Sequence, residues 1–119
     1  MTTPFANADF DRAGFHLTVY LAGDLDEETA PALTAAVLRG IEPADKVVWL
    51  DLSAVTFCGS AGVTMFAALH RHCEDQGARL TLYRPTTATR RVLDLLGLAE
   101  LRVWSEAPAR SNESMQDQP

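Results

Sequence analysis

The segment from Val47 to Cys73, VVWLDLSAVTFCGSAGVTMFAALHRHC, constrains the fold more than any other part of the chain. Val47–Leu50 is an unbroken apolar run, the pattern of a central strand covered on both faces. Asp51 and Ser53 are expected to end that run, and Val55 and Phe57 to turn the chain back into the core. Gly59-Ser60-Ala61-Gly62 then opens a helix on which Gly62, Phe66, Leu69 and Cys73 share one stripe, with Gly77 as a C-terminal stop. A buried strand feeding an apolar-faced helix is the building unit of an α/β domain.

The flanks repeat the unit. Phe10 is expected to open a short edge strand that turns at Ala13-Gly14, and Leu17, Val19 and Leu21 alternate with Thr18 and Tyr20 in a second strand stopped by Gly23. Asp26 stands where an N-cap belongs, ahead of an amphipathic helix over Glu27–Gly40 carried by Leu33, Val37 and Ile41, with Pro43 beyond its end. Leu80 and Leu82 alternate with Thr81 and Tyr83 in a further strand broken by Pro85. Thr86 or Thr87 can cap a last helix whose apolar side is Val92, Leu93, Leu95 and Leu96 and whose end is Gly97; Leu101 and Val103 suit a final short strand. Two strands followed by alternating helix and strand predict one α/β domain: a four- to five-stranded mixed sheet, mostly parallel, with an N-terminal hairpin and helices packed on it. The expected organisation is a flexible leader at 1–8, the domain at 9–104 and a mobile polar tail at 105–119.

A chain of 119 residues, 47% hydrophobic, supports one such core. Its net charge of -6 argues against nucleic acid, since neutralising phosphates needs clustered cations. No apolar run is long enough to cross a bilayer and no basic-then-apolar leader opens the chain, so a cytoplasmic location is the default expectation. Cys58 and Cys73 lack metal-like spacing and read as reduced, packed thiols. His70 and His72 stand two apart on a helix, on different faces, which suits no shared metal.

Ser60 is the residue with chemical interest, and two readings of it stand side by side. It can cap the helix, accepting a hydrogen bond from a backbone N–H one turn on, or it can be a phosphorylation site, because a helix N-terminus tolerates an anion. A nucleophile elbow would need glycine where Cys58 stands, and Gly59–Gly62 matches neither a Walker loop nor a dinucleotide fingerprint, so catalysis has little support. Asp24 is expected to lie free on the loop before Asp26, and Val63 or Met65 to offer an exposed apolar patch.

Four motifs in order, Gly23-Asp24-Leu25-Asp26, Leu50–Phe57, Ser60-Ala61-Gly62 and Val92–Leu98, resemble the STAS domain, and more closely the stand-alone anti-sigma factor antagonists of bacteria. The likeness spans about residues 10–104. It implies a non-enzymatic regulator without a cofactor of its own, working by partner switching: the protein binds an anti-sigma factor that is also a serine kinase and so releases the sigma factor. The kinase, using ATP that it binds itself, phosphorylates the serine matching Ser60, and a PP2C-type phosphatase resets it. The partner-binding surface implied comprises Asp24, Asp26, Gly59, Ser60, Ala61, Gly62 and Val63. One departure is Gly59, where the family commonly has aspartate. A scaffold or sensor module, or a small STAS subunit of a membrane lipid transporter, is the alternative with the same fold.

Overall fold

A computed structural model describes residues 5–96 and the backbone of 102–104. The elements run β1 (Ala6–Ala13), β2 (His16–Leu25), α1 (Ala30–Gly40), β3 (Val47–Cys58), α2 (Ser60–Asp75), β4 (Arg79–Tyr83), α3 (Thr87–Leu95) and β5 (Arg102–Trp104). The five strands form one mixed sheet in sequence order; β1 is antiparallel to β2, and every later pairing is parallel. Each crossover steps one strand in the same direction, so the right-handed rule sets all three helices on one face. The burial pattern agrees. Leu17, Val19, Leu21, Val48, Leu50, Leu52, Leu80 and Leu82 point from one side of the sheet into a core completed by Leu33 and Val37 of α1, by Phe66, Leu69 and Cys73 of α2, and by Leu93 of α3.

The edge strand begins at Ala6, four residues ahead of Phe10, so residues 6–8 lie in the hairpin and not in a leader. Gly14, at φ +61, makes the turn. Gly23 does not end β2: it lies within it at φ +97, beside a register shift, and a Cβ there would come 2.8 Å from the Ala6 Cα. Glycine is required at that point by both conformation and space.

The longest difference from the expected layout is in β3, which continues through Asp51 and Ser53 to Cys58. Its pairing with β2 shifts between Tyr20 and Ala22 and again between Gly23 and Asp24. At the first shift the Asp51 carboxylate, 2% exposed, accepts hydrogen bonds from the Ser53 N–H at 2.9 Å and the Ser53 hydroxyl at 2.7 Å. It also pairs with Arg84 at 3.0 Å. Those bonds satisfy the chain where the ladder is interrupted, so the two polar residues bend the strand instead of stopping it. Each shift reverses which residues face the helices. Val55 is therefore buried, whereas Phe57, expected beside it in the core, is turned out and 52% exposed.

Helix α1 starts at Ala30, three residues after the expected Glu27, with Pro31 in its first turn. Thr86 caps α3 by accepting from the Thr89 N–H, as expected of it. Leu93 is the core residue of α3, while Leu95 and Leu96 at its end are exposed. The expected stop at Gly97 and the strand residue Leu101 lie outside the described residues, although β5 occupies 102–104. A guanidinium clamp holds the hairpin to the chain ahead of β3. Arg12 donates to both carboxylate oxygens of buried Asp45 at 2.9 and 2.8 Å and to the Gly40 carbonyl at 2.8 Å. The Arg12 hydrogen bonds hold the Asp45 carboxyl below its ordinary range, against the opposing effect of burial.

Candidate functional site

The C-terminal end of β3 delivers the chain to α2, and the residue in the cap position there is Gly59, not Ser60. Gly59 has extended backbone, φ -95 and ψ -168, and no side chain caps the helix. Ser60 is the first helical residue, exposed, with its hydroxyl unused by the cap. The capping explanation for a serine at this position is thereby removed, and the hydroxyl stands at the surface.

The start of α2 is tightly built beneath it. The Gly62 and Val63 N–H groups both donate to the Gly59 carbonyl, at 3.0 and 3.3 Å, and the Gly59 N–H donates to the Leu25 carbonyl at 3.1 Å. Helix geometry leaves the N–H groups of Ser60 and Ala61 without intrahelical acceptors, at the positive end of a 16-residue dipole. An anion on the Ser60 oxygen would meet those donors and the helix dipole, opposed in part by the carboxylates of Asp26, Glu27 and Glu28. Gly62 is buried, and a Cβ on it would lie 2.7 Å from Cys58 Sγ and 2.9 Å from Leu25 Cβ, so its small size lets the helix close on β2 and β3. Val63 and Met65 are 5% and 2% exposed. They belong to the core, and neither forms the surface patch expected of it; Val63 sits under the site and offers a partner no side-chain surface.

The acidic segment comes from the end of β2. Asp24 is not free: it lies within β2, and its carboxylate accepts the Thr56 hydroxyl at 2.6 Å. Asp26 caps a turn ahead of α1 instead of the helix. Its Oδ1 accepts from the N–H groups of Glu28 and Thr29 at 2.9 and 3.0 Å, while the Thr29 hydroxyl donates to the Asp24 carbonyl at 2.6 Å. This turn presents Glu27 and Glu28 to solvent. A cavity of about 430 Å³ lies between the two segments, lined by Asp26, Glu27 and Glu28 on one side and by Phe57, Gly59, Ser60 and Ala61 on the other.

The structure thus places four residues of the expected surface, Asp26, Gly59, Ser60 and Ala61, around one cavity, and adds Phe57, Glu27 and Glu28. The Phe57 ring is set against Gly59, where a Cβ would lie 3.2 Å from Cε2 and 3.4 Å from Cζ. No period-2 pattern announces Phe57, because its outward direction depends on the shift beside Asp24. The arrangement offers an exposed aromatic ring, a hydroxyl and an acidic rim, a surface suited to docking a protein segment.

Neighbouring groups show no activation. The Cys58 thiol is buried, points back to the Gly59 carbonyl at 3.6 Å, and is pushed up to about 11 by burial, the condition of an inert thiol. His70 faces Glu74 at 3.9 Å on the far part of α2. Among the described residues no three His, Cys, Asp or Glu side chains are grouped to hold a metal, and no helix is long and apolar enough to cross a membrane.

A family model described as Mlab, STAS domain, matches residues 8–103, and the chain belongs to the STAS domain family. It is 25% identical over 91 residues to the anti-sigma-B factor antagonist of Listeria monocytogenes, spanning 72% of this chain and 75% of that protein. The solved structure of the anti-sigma factor antagonist SpoIIAA in its unphosphorylated form matches with a TM-score of 0.72 at 20% identity, over 87% of this chain and 90% of that one. An anti-sigma factor antagonist from Mycobacterium paratuberculosis matches with a TM-score of 0.70 at 28% identity, over 84% and 86%. In sequence and fold the chain is anti-sigma factor antagonist-like.

Proposed function

We propose that this STAS-family chain is a cytoplasmic anti-sigma factor antagonist that acts by partner switching. Unphosphorylated, it docks the surface formed by Phe57, Gly59, Ser60, Ala61 and the Asp26–Glu28 rim on an anti-sigma factor that is also a serine kinase, and so frees the sigma factor. The kinase, with its own bound ATP, phosphorylates Ser60; the complex separates, and a PP2C-type phosphatase restores the hydroxyl. The observation that carries this reading is the exposed Ser60 hydroxyl, free of any capping duty, between an exposed Phe57 and an acidic rim. A phosphate would add a charge of about -1.5 to -2 at the centre of that surface. The start of α2 accommodates it in the free protein, whereas docking would strip its water and force it against the partner, so the modification acts on binding and leaves the fold intact.

The test uses the candidate kinase, ATP and mass spectrometry to map phosphate, with calorimetry to follow binding. Ser60→Ala is expected to bind persistently and take no phosphate, Ser60→Glu to bind at least tenfold more weakly, and Phe57→Ala to lose about 1–2 kcal/mol of binding while folding normally. Wild-type affinity in both Ser60 variants would remove the switch. A second reading is favoured by Gly59, which leaves no carboxylate beside the serine: a scaffold or sensor module, or a lipid-transporter subunit whose surface seats an ABC-transporter ATPase with Ser60 unmodified. Recovery of such an ATPase in a pull-down, with no kinase-like ATPase, would decide for it.

A further inference from the structure

We propose a second binding site at the opposite pole, for a small ligand that combines a flat ring with an anionic group. Its residues come from the starts of three strands. Pairing aligns His16, Val47 and Arg79 in one row across β2, β3 and β4, and Thr18, Trp49 and Thr81 in the next. Strand alternation turns both rows to the face without helices, because Leu17, Val48 and Leu80 between them enter the core. The Arg79 N–H donates to the Lys46 carbonyl at 2.9 Å and so joins the backbones of the two cationic residues. Lys46, Arg79 and His16 rim a cavity of about 540 Å³ whose floor is Val47, Trp49 and Thr81.

Three features define the occupant. Two cations and an imidazole line one hollow in a chain of net charge -6, and among the described residues none of the three takes part in an ion pair or side-chain hydrogen bond. No carboxylate of the described residues pairs with them, which leaves their charge open to an anionic ligand. The Trp49 indole is held edge-on to Tyr83, centroids 6.0 Å apart at 71°, so a fixed aromatic surface stands beside the cations before any ligand arrives. The hollow is short. In the third row Asp51 already pairs with Arg84 at 3.0 Å, and Arg84 lies over the Tyr83 ring at 5.0 Å. Asp11, opposite Thr18 on β1, adds a carboxylate beyond the other side. A single ring with one anionic head fits those limits; an extended acidic peptide would run onto the Asp11 carboxylate on one side and onto a row whose Arg84 is already paired on the other. The volume is within the range of roughly 300–1,000 Å³ usual for small-ligand sites. The site stands apart from Ser60 by most of the length of β3, about 35 Å at 3.3 Å per residue.

Two probe pairs test the proposal by amide and indole NMR shifts: phenyl phosphate against inorganic phosphate, and benzoate against acetate. In at least one pair the ring-bearing probe is expected to bind at least tenfold tighter than its ringless counterpart, with shifts centred on the Trp49 indole and the Arg79 amide. The double variant Lys46→Ala, Arg79→Ala changes two exposed side chains, so it should melt like wild type yet bind that probe at least tenfold more weakly. Equal binding within both pairs, shifts centred elsewhere, or unchanged affinity in the folded double variant would each overturn the proposal. Tighter binding of an acidic peptide than of either ring-bearing probe would do the same, by assigning the surface to a protein partner.

Discussion

Replacing Gly59 by aspartate probes how the site is built, and the structure allows the outcome to be worked out in advance. Gly59 lies at φ -95 and ψ -168, extended backbone open to any residue, so the substitution strains no dihedral. Restricting the unfolded chain contributes about 0.4–1 kcal/mol of stability. A carboxylate in the cap position exceeds glycine by a few tenths of a kcal/mol, and its interaction with the helix end contributes about 0.3–1 kcal/mol. Two effects oppose these. The new Cβ lies 3.2 Å from the Phe57 ring, which must give way slightly; being 52% exposed, the ring can do so at the cost of a few tenths of a kcal/mol. The carboxylate also joins Asp26, Glu27 and Glu28 around one cavity, for a repulsion of about 0.5 kcal/mol. The net expectation is a gain of about 0.5–1 kcal/mol, or roughly 2–4 °C in Tm.

Gly59→Ala is the control, since it has the same Cβ and the same entropic gain but no acceptor. Alanine caps less well than glycine by about 0.5–1 kcal/mol, which cancels the gain and leaves Tm within about 2 °C of wild type. Calorimetry at pH 7, supported by urea unfolding, separates the two. A loss above about 1 kcal/mol in both variants would refute the reasoning, because it would mean that the Phe57 ring is fixed where it lies. Equal behaviour of aspartate and alanine would refute the capping part alone. In the kinase assay, a faster phosphorylation of the aspartate variant but not of the alanine variant would assign the effect to the carboxylate beside Ser60.

Gly23→Ala should cost at least about 2 kcal/mol in urea unfolding, since φ +97 and the approach of Ala6 Cα leave a side chain neither conformation nor room. Asp45 has a folded pKa depressed below its value of 3.8, so its contribution to stability is complete above about pH 5 and lost as pH falls through the folded value. Urea midpoints from pH 7 to 3 should accordingly fall less steeply in Asp45→Asn, which starts from a lower midpoint at pH 7. Cys58 and Cys73, both pushed up to about 11 by burial, should resist iodoacetamide at pH 8 in the native protein and react together in urea; rapid native labelling of Cys58 would refute its reading as an inert, packed thiol.

Periodic features of this fold are visible in the sequence because they are repeated. The alternation of Leu17, Val19 and Leu21, the stripe of Gly62, Phe66, Leu69 and Cys73, and the run at Val47–Leu50 each record a face that meets the core. What the sequence conceals is decided by single events. Asp26 has the chemistry of a helix cap, but its carboxylate is consumed by the turn at Glu28 and Thr29, and α1 begins only after it. Leu95 and Leu96 continue an apolar pattern past the point where α3 leaves the core. Ser60 is chemically able to cap, yet the extended residue that defines the cap is Gly59. Local chemistry names the residues able to perform a task, and the surrounding backbone selects which one does.

The two register shifts in β3 show that selection at the site itself. A strand with period 2 cannot bury Val55 and also expose Phe57; one irregularity must fall between them, and Thr56 is the residue that supplies it. Each irregular stretch has a carboxylate beside it: Asp51 accepts the Ser53 N–H and hydroxyl, and Asp24 accepts the Thr56 hydroxyl at 2.6 Å. Asp24 therefore differs in kind from Glu27 and Glu28, although all three belong to one acidic segment. Glu27 and Glu28 present charge, so their removal should weaken a cationic partner in proportion to salt-sensitive attraction. Asp24 holds the shift that turns Phe57 outward, so Asp24→Ala should weaken the same partner through the ring's position. The discriminating measurement is a double-mutant cycle: Asp24→Ala should couple strongly to Phe57→Ala and show little salt dependence, and additive, salt-dependent effects would return Asp24 to the charged rim.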